Sequence, residues 1–143
     1  MSSGSIPVGD GAGRKTRVVL IDVRSERRAL MRRVLDLAAG DGTVVAEVTD
    51  ASEALRAIAD SDADVAVVEI QLPVDEWLAI IATLRAVYPT LVIVVCTFHH
   101  DAATQRQAAE AGADEYLVKP VSARQLRATL TRRSLKPSAN MIA

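Results

Sequence analysis

The stretch at residues 65–73 constrains the fold of this chain more than any other. It reads Val-Ala-Val-Val-Glu-Ile-Gln-Leu-Pro, an apolar run that is interrupted by one carboxylate at Glu69 and ended by a proline. A continuous apolar run is typical of a strand that is buried on both faces of a parallel sheet. In open α/β sheets, sites form at the carboxyl ends of such strands. The sequence therefore predicts that Glu69 lies at the site edge of the sheet.

The rest of the chain repeats the alternation of apolar strand and amphipathic helix. Strands are predicted at 17–21, 43–48, within 65–73 with Glu69 at the carboxyl end, 91–96 and 115–119. Helices are predicted at about 25–37, 50–58, 75–87, 101–112 and 122–132. Strands that alternate with helices through short loops pair in parallel. Their connections are right-handed crossovers, and the helices cover both faces of the sheet. We therefore predict one doubly wound α/β domain at 16–133, between disordered tails at 1–15 and 134–143.

Several helix ends carry capping residues. Asp50 followed by Glu53, and Ser122 followed by Gln125, match the capping-box spacing. Asp101 is predicted to cap the helix that ends at Gly112. These residues predict where the helices begin and end.

Composition and charge exclude several functional classes. Half of the 143 residues are apolar, enough to build a core, and 17 basic against 18 acidic residues give a net charge of −1. This balance argues against direct binding of nucleic acid or of anionic membranes. The N-terminus lacks an apolar run long enough for a signal peptide. Because the single cysteine, Cys96, has no partner for an internal disulfide, we expect a small core residue in a cytoplasmic protein.

Four polar residues lie at the carboxyl ends of four of the predicted strands. They are Asp22, Glu69, Thr97 and Lys119, and the topology brings them to one edge of the sheet. A carboxylate can accept a phosphoryl group, a hydroxyl can hydrogen-bond its oxygens, and an ammonium group can offset its charge. The set is typical of a phosphate-handling site.

With these residues in place, the chain resembles the receiver domain of two-component response regulators over roughly residues 16–133. The matching features are Asp22, the 65–73 pattern, Thr97, Ala111-Gly112-Ala113-Asp114 before Tyr116, and Lys119-Pro120. The resemblance implies the strand order 2-1-3-4-5 and a cis peptide bond before Pro120. It also implies the following roles: the phosphoacceptor position at Glu69, a hydroxyl switch at Thr97, an aromatic switch at Tyr116 and a phosphate-binding lysine at Lys119.

Three departures from the family lie inside the site. The phosphoacceptor is Glu69 where the family has aspartate, Val23 replaces the second acid of the Mg²⁺-binding pair, and Phe98 stands where the family has a small residue. The pocket rim is expected at Val23, Gln71, Phe98 and His99. Asp22, Glu69 and Lys119 carry a formal charge of −1, against −2 in a typical receiver site, so Mg²⁺ binding at Asp22 and Glu69 is expected to be weak or absent.

We therefore expect a pseudo-receiver, which is neither an enzyme nor dependent on a cofactor and signals through protein contacts without phosphorylation. The longer side chain of Glu69 would reach toward Lys119 and imitate the phosphorylated state. Two alternatives remain open at this point. One is a functional Mg²⁺-dependent phosphoacceptor, and the other is a flavodoxin-like ligand-binding domain, which shares the strand order.

The resemblance implies protein partners: a histidine kinase, a phosphotransfer protein or an output protein. The basic segment 24–33 is a candidate contact, because Arg24, Arg28 and Arg32 recur on one helical face. A homodimer through the 102–132 face is a second candidate. The chain is expected to be either a stand-alone regulator or the receiver of a longer one.

Overall fold

The computed structural model describes residues 16–22, 32, 36, 43–70 and 74–134, the side chains of 43, 45 and 131–134 excepted. The strands are β1 (Arg17–Ile21), β2 (Thr43–Val48), β3 (Val65–Glu69), β4 (Val92–Thr97) and β5 (Glu115–Val118). The helices are α1 (Ala51–Ser61), α2 (Val74–Val87), α3 (Ala102–Ala111) and α4 (Ala123–Ser134). The helix predicted at 25–37 lies outside the described residues, except that 32 and 36 are helical. The predicted tail at 1–15 and residues 135–143 of the second tail also lie outside them.

The five strands form one parallel sheet in the order β2-β1-β3-β4-β5, which confirms the predicted topology. β3 lies at the centre, with Val18 of β1 opposite Val65 and Cys96 of β4 opposite Glu69. All five residues of β3 are buried, as the continuous apolar run predicts. The observed strand bounds differ from the predicted ones by one or two residues at most.

Helices cover the sheet on both faces, and each face has its own core. α1, α2 and α3 pack on one face through Ile58, Ile81 and Ala108. α4 packs on the other face through Leu126 and Leu130. Alternate residues of each strand therefore enter different cores, so that Val19 belongs to the first and Val18 to the second.

The predicted capping residues are in place. The Asp50 carboxylate accepts a hydrogen bond from Glu53 N at 2.8 Å, and Asp101 accepts one from Thr104 N at 3.0 Å. Ser122 Oγ accepts one from Gln125 N at 3.0 Å. The capping box of α1 differs in one respect, because the Glu53 carboxylate reaches Thr49 N, at 3.0 Å, rather than the N–H of Asp50.

A guanidinium group ties together the loops at the amino edge of the sheet. Arg85, near the end of α2, donates to the carbonyls of Pro89 at 2.9 Å, Leu91 at 2.7 Å and Gly112 at 2.9 Å. It also pairs with Asp114 at 2.7 Å. Gly112 has φ +126°, and a Cβ there would lie 2.7 Å from the Cβ of Arg85. Glycine is therefore required by both conformation and space.

Gly112→Ala should lower the free energy of unfolding by about 1–3 kcal/mol, because it adds both backbone strain and a clash with Arg85. Urea denaturation followed by fluorescence of the buried Trp77 measures the change. Glu110→Ala, at an exposed position of the same helix, is the matched control and should change stability by no more than about 0.5 kcal/mol. Equal stability of Gly112→Ala and the control would contradict the steric role of this glycine.

Candidate functional site

The polar residues at the carboxyl ends of β1, β3 and β4 are deeply buried at one edge of the sheet. Asp22 is 0% exposed, Glu69 1% and Thr97 1%. Hydrogen bonds to the neighbouring parallel strands position the backbone at these strand ends. Asp22 N donates to Val48 O of β2 at 3.0 Å, and Ile70 N donates to Cys96 O of β4 at 3.3 Å. Neighbouring strands thus hold both carboxyl groups in place while their apolar residues fill the two cores.

Lys119 lies directly after β5 and reaches back across β4 to Glu69. Its Nζ lies 2.6 Å from the Glu69 carboxylate, and only 12% of the lysine side chain is exposed. The Lys119–Pro120 peptide bond is cis, as predicted. Nζ also lies 5.4 Å from the centre of the Phe98 ring, within the range of a cation–π interaction. The ammonium group is therefore placed between a buried carboxylate and an aromatic ring.

The two buried carboxyl groups interact with each other as well as with the lysine. Burial and a hydrogen bond with the Asp22 carboxyl raise the pKa of Glu69 to about 8, although Lys119 opposes the shift. Two oxygens of adjacent carboxyl groups can share a hydrogen bond only when one of them is protonated. The raised pKa of Glu69 therefore favours a proton on this carboxyl group near neutral pH, which lowers the negative charge of the site.

Thr97 and Tyr116 both bind the backbone next to this group. The Thr97 hydroxyl donates to Ile70 O at 3.0 Å and accepts from His99 N at 3.1 Å. The Tyr116 hydroxyl donates to His99 O at 2.6 Å, and burial raises the pKa of this phenol. Thr97 therefore meets the residue after Glu69 and does not hydrogen-bond the carboxylate itself, while His99 joins the two predicted switch residues.

The rim of the site is only partly described. Phe98 is 57% exposed, and His99 is half-buried. Val23 and Gln71, the other predicted rim residues, lie outside the described residues, as do Arg24 and Arg28 of the predicted basic face.

Arg32, the third residue of that predicted basic face, is engaged within the chain. It contacts Asp36 on its own segment at 3.4 Å and Glu47 of β2. Part of its charge is therefore already compensated inside the domain.

Asp22 and Glu69 do not fit a divalent cation in this arrangement. Metal ligands must be deprotonated, whereas the Glu69 carboxyl has a raised pKa and contacts the Lys119 ammonium group. Among the residues that the structure describes, no group of three or more His, Cys, Asp or Glu side chains forms a metal-binding cluster. A hard cation such as Mg²⁺ would need further oxygen ligands beyond these two acids.

Asp22, Glu69, Thr97 and Lys119 meet at one edge of the sheet, but sequence reasoning missed two contacts there. It did not anticipate the interaction between the carboxyl groups of Asp22 and Glu69 or the Phe98 ring beside Lys119. Both depend on side-chain distances of a few ångströms, for which residue spacing carries no signal. The carbonyls of Ile70 and His99 were missed for the same reason, because every residue has one.

Comparison with known proteins assigns the chain to a family. The model of the response regulator receiver domain matches residues 18–131, most of the chain. The chain belongs to this family of receiver domains. Its receiver fold agrees with solved structures, among them the receiver domain of a response regulator, NarL, from Mycobacterium tuberculosis. That structure has a TM-score of 0.73 and 27% identity, covering 85% of this chain and 98% of the other.

The curated relatives are longer than the segment that matches this chain. The transcriptional regulatory protein PrrA of M. tuberculosis is 34% identical over 73% of this receiver chain and 43% of its own length. The two-component response regulator PhoP of Pseudomonas aeruginosa is 35% identical over 73% of the chain and 47% of its length. A protein-glutamate methylesterase of Azospirillum brasilense is 33% identical over 84% of the chain and 31% of its own length. The chain thus spans less than half the length of these relatives.

Receiver domains of this family serve two-component signalling, in which they interact with histidine kinases or output domains. Within the described segments, none of the helices has the length and apolar character that crossing a bilayer requires.

Between about pH 4.5 and pH 8 the stability of the domain should fall as pH rises. The folded pKa of Glu69 is about 8, above the ordinary value of 4.5, so in this window the native state binds more protons than the unfolded chain. The contribution is complete below the ordinary pKa and is lost as pH rises through the folded pKa. The slope has an upper limit of about 1.4 kcal/mol per pH unit. Urea denaturation across this range measures it, and Glu69→Gln should flatten the profile. An identical slope in Glu69→Gln would show that another group is responsible.

Proposed function

We propose that this receiver domain is a pseudo-receiver, which signals through protein contacts without phosphorylation at Glu69. The observation that carries the proposal is the buried pair of Lys119 and Glu69, whose Nζ and carboxylate lie 2.6 Å apart. In this reading Glu69 occupies the phosphoacceptor position, Asp22 the acidic pocket, and Lys119 the phosphate-binding position. The lysine then binds the carboxylate of the chain itself in place of a phosphoryl oxygen.

The protonation of the site supports the same reading. A carboxylate that attacks phosphorus must be ionised, and the transferring group needs positive charge close by. Glu69 has a raised pKa and is almost fully buried, and Phe98 lies over the lysine that would have to move. Both the nucleophile and its route of access are therefore impaired.

The switch residues are already engaged with the backbone of the chain. Thr97 is bound to Ile70 O and Tyr116 to His99 O, so neither hydroxyl needs a phosphoryl group as a partner. A site of this kind favours one fixed conformation, read by a kinase, a phosphotransfer protein or an output protein. The domain itself is then a cytoplasmic binding module and not an enzyme.

A functional Mg²⁺-dependent phosphoacceptor is the second candidate. It is favoured by the meeting of Asp22, Glu69 and Lys119 at one edge of the sheet, which is the arrangement that the family resemblance implies for phosphorylation. The flavodoxin-like alternative loses its support, because the family match covers residues 18–131.

Incubation with acetyl phosphate and Mg²⁺, followed by intact-mass measurement, distinguishes the two candidates. We expect no adduct, because Glu69 is buried, paired with Lys119 and short of metal ligands. A stoichiometric gain of about 80 Da, the mass of one phosphoryl group, located on Glu69 by peptide mapping, would refute the pseudo-receiver proposal.

The double variant Glu69→Asp, Val23→Asp serves as the positive control. It shortens the acid at position 69 and restores the second acid of the family pair, so it should bind Mg²⁺ and acquire the adduct. Glu69→Asp alone separates the length of the side chain from the loss of the metal ligand. Failure of the double variant to bind Mg²⁺, with the fold intact by circular dichroism, would mean that the missing acids are not the cause.

A further inference from the structure

Charge is unevenly distributed along the chain, although its total is close to zero. Residues 50–87 contain eight acidic and two basic residues, whereas residues 119–143 contain six basic residues and no acidic one. A net charge of −1 therefore conceals two regions of strong and opposite sign.

The fold places the helices of these regions on opposite sides of the sheet, while Glu69 and Lys119 pair at its carboxyl edge. α1 and α2 cover the face whose core contains Ile58 and Ile81, and α4 covers the other face through Leu126 and Leu130. The sheet and both cores separate the two charged surfaces. The exposed charges of α1 and α2 therefore lie on the opposite side of the molecule from those of α4.

The acidic surface consists of exposed side chains at the ends of α1 and α2: Asp50, Glu53, Asp60, Asp62, Asp75 and Glu76. Of the two arginines in the same region, Arg56 is exposed, whereas Arg85 is engaged by Asp114 and by backbone carbonyls. The surface of α2 between its ends is built from small exposed residues, among them Ala79, Ala82 and Ala86. Its centre would therefore allow the close approach of another helix.

The basic surface is the outer side of α4. Its exposed basic side chains are Arg124 and Arg127. The apolar residues of α4 are committed to the core, with Leu126 at 0% and Leu130 at 6% exposure. The outer side of α4 therefore presents positive charge and little apolar area. A complementary partner is an acidic protein surface about as wide as one helix.

We propose that the arginine face of α4 in one copy docks on the acidic α1–α2 face of a second copy. The acidic surface that complements α4 is present on the same chain, on the opposite side of the molecule. The contact is heterologous, because different surfaces meet, and copies therefore associate head to tail. The association is driven by charge, so it should be weak, fast and sensitive to salt. It goes beyond the proposed function, since it does not involve Glu69.

Sedimentation velocity over a concentration series tests this contact. The Debye length is about 30 Å at 0.01 M salt and about 3 Å at 1 M. The weight-average sedimentation coefficient should rise with concentration at the lower salt and stay at the monomer value at the higher. A monomer at all concentrations in low salt would overturn the proposal, and so would a closed dimer that does not grow further.

Charge-reversal variants identify the surfaces. Arg124→Glu with Arg127→Glu, and Asp75→Arg with Glu76→Arg, should each abolish association, while an equimolar mixture of the two should restore it. Asp60→Asn with Glu76→Gln is a milder variant in case charge reversal at the start of α2 disturbs folding, and it should weaken association.

Arg106→Glu on α3 changes the net charge by the same amount as Arg127→Glu alone and is the matched control. It should leave association unchanged, whereas Arg127→Glu should reduce it. Equal effects of the two substitutions would assign the association to overall charge rather than to α4.

Discussion

The burial of β3 on both faces is the constraint on which the rest of this structure depends. A strand at the centre of the sheet has no access to water, so its backbone must bond to β1 on one side and to β4 on the other. Helices must then cover both faces, which places the strand ends and their polar residues along one edge. Glu69 is deeply buried because it is the last residue of this strand, and its burial in turn requires Lys119.

The arrangement of Asp22, Glu69 and Lys119 compensates a cost that the fold imposes. An isolated ionised carboxylate in a dry site is strongly unfavourable, and such groups either bind a proton or find a counter-charge. This site combines both solutions, with a raised pKa of Glu69, which favours its protonated form, and an ammonium group at 2.6 Å. The valine at position 23, where the family has an acid, is consistent with such a site, because it leaves less charge to be compensated by an external cation.

Most of the fold could be predicted from the sequence, because its signals are local. The apolar run at 65–69, the caps at Asp50 and Asp101 and the glycine at 112 each determine an element or an end by short-range physics, and the alternation of elements determines the topology. The site was predictable only as a set of residues. Its electrostatic state depends on distances between side chains that are about 50 residues apart in sequence, as Glu69 and Lys119 are. Whether Glu69 accepts a phosphoryl group is still a prediction.

The contacts of Arg85 have a consequence for how such a domain can change over time. This guanidinium group fastens the amino edge of the sheet by binding mainly backbone carbonyls, which no substitution elsewhere can remove. The carboxyl edge, where Asp22 and Glu69 lie, contributes nothing to that fastening. Substitutions at the carboxyl edge therefore leave the Arg85 contacts intact, provided that the buried charge at that edge stays compensated. A domain built in this way can lose an ancestral chemistry while keeping its shape, and the shape alone is then a poor guide to whether the chemistry survives.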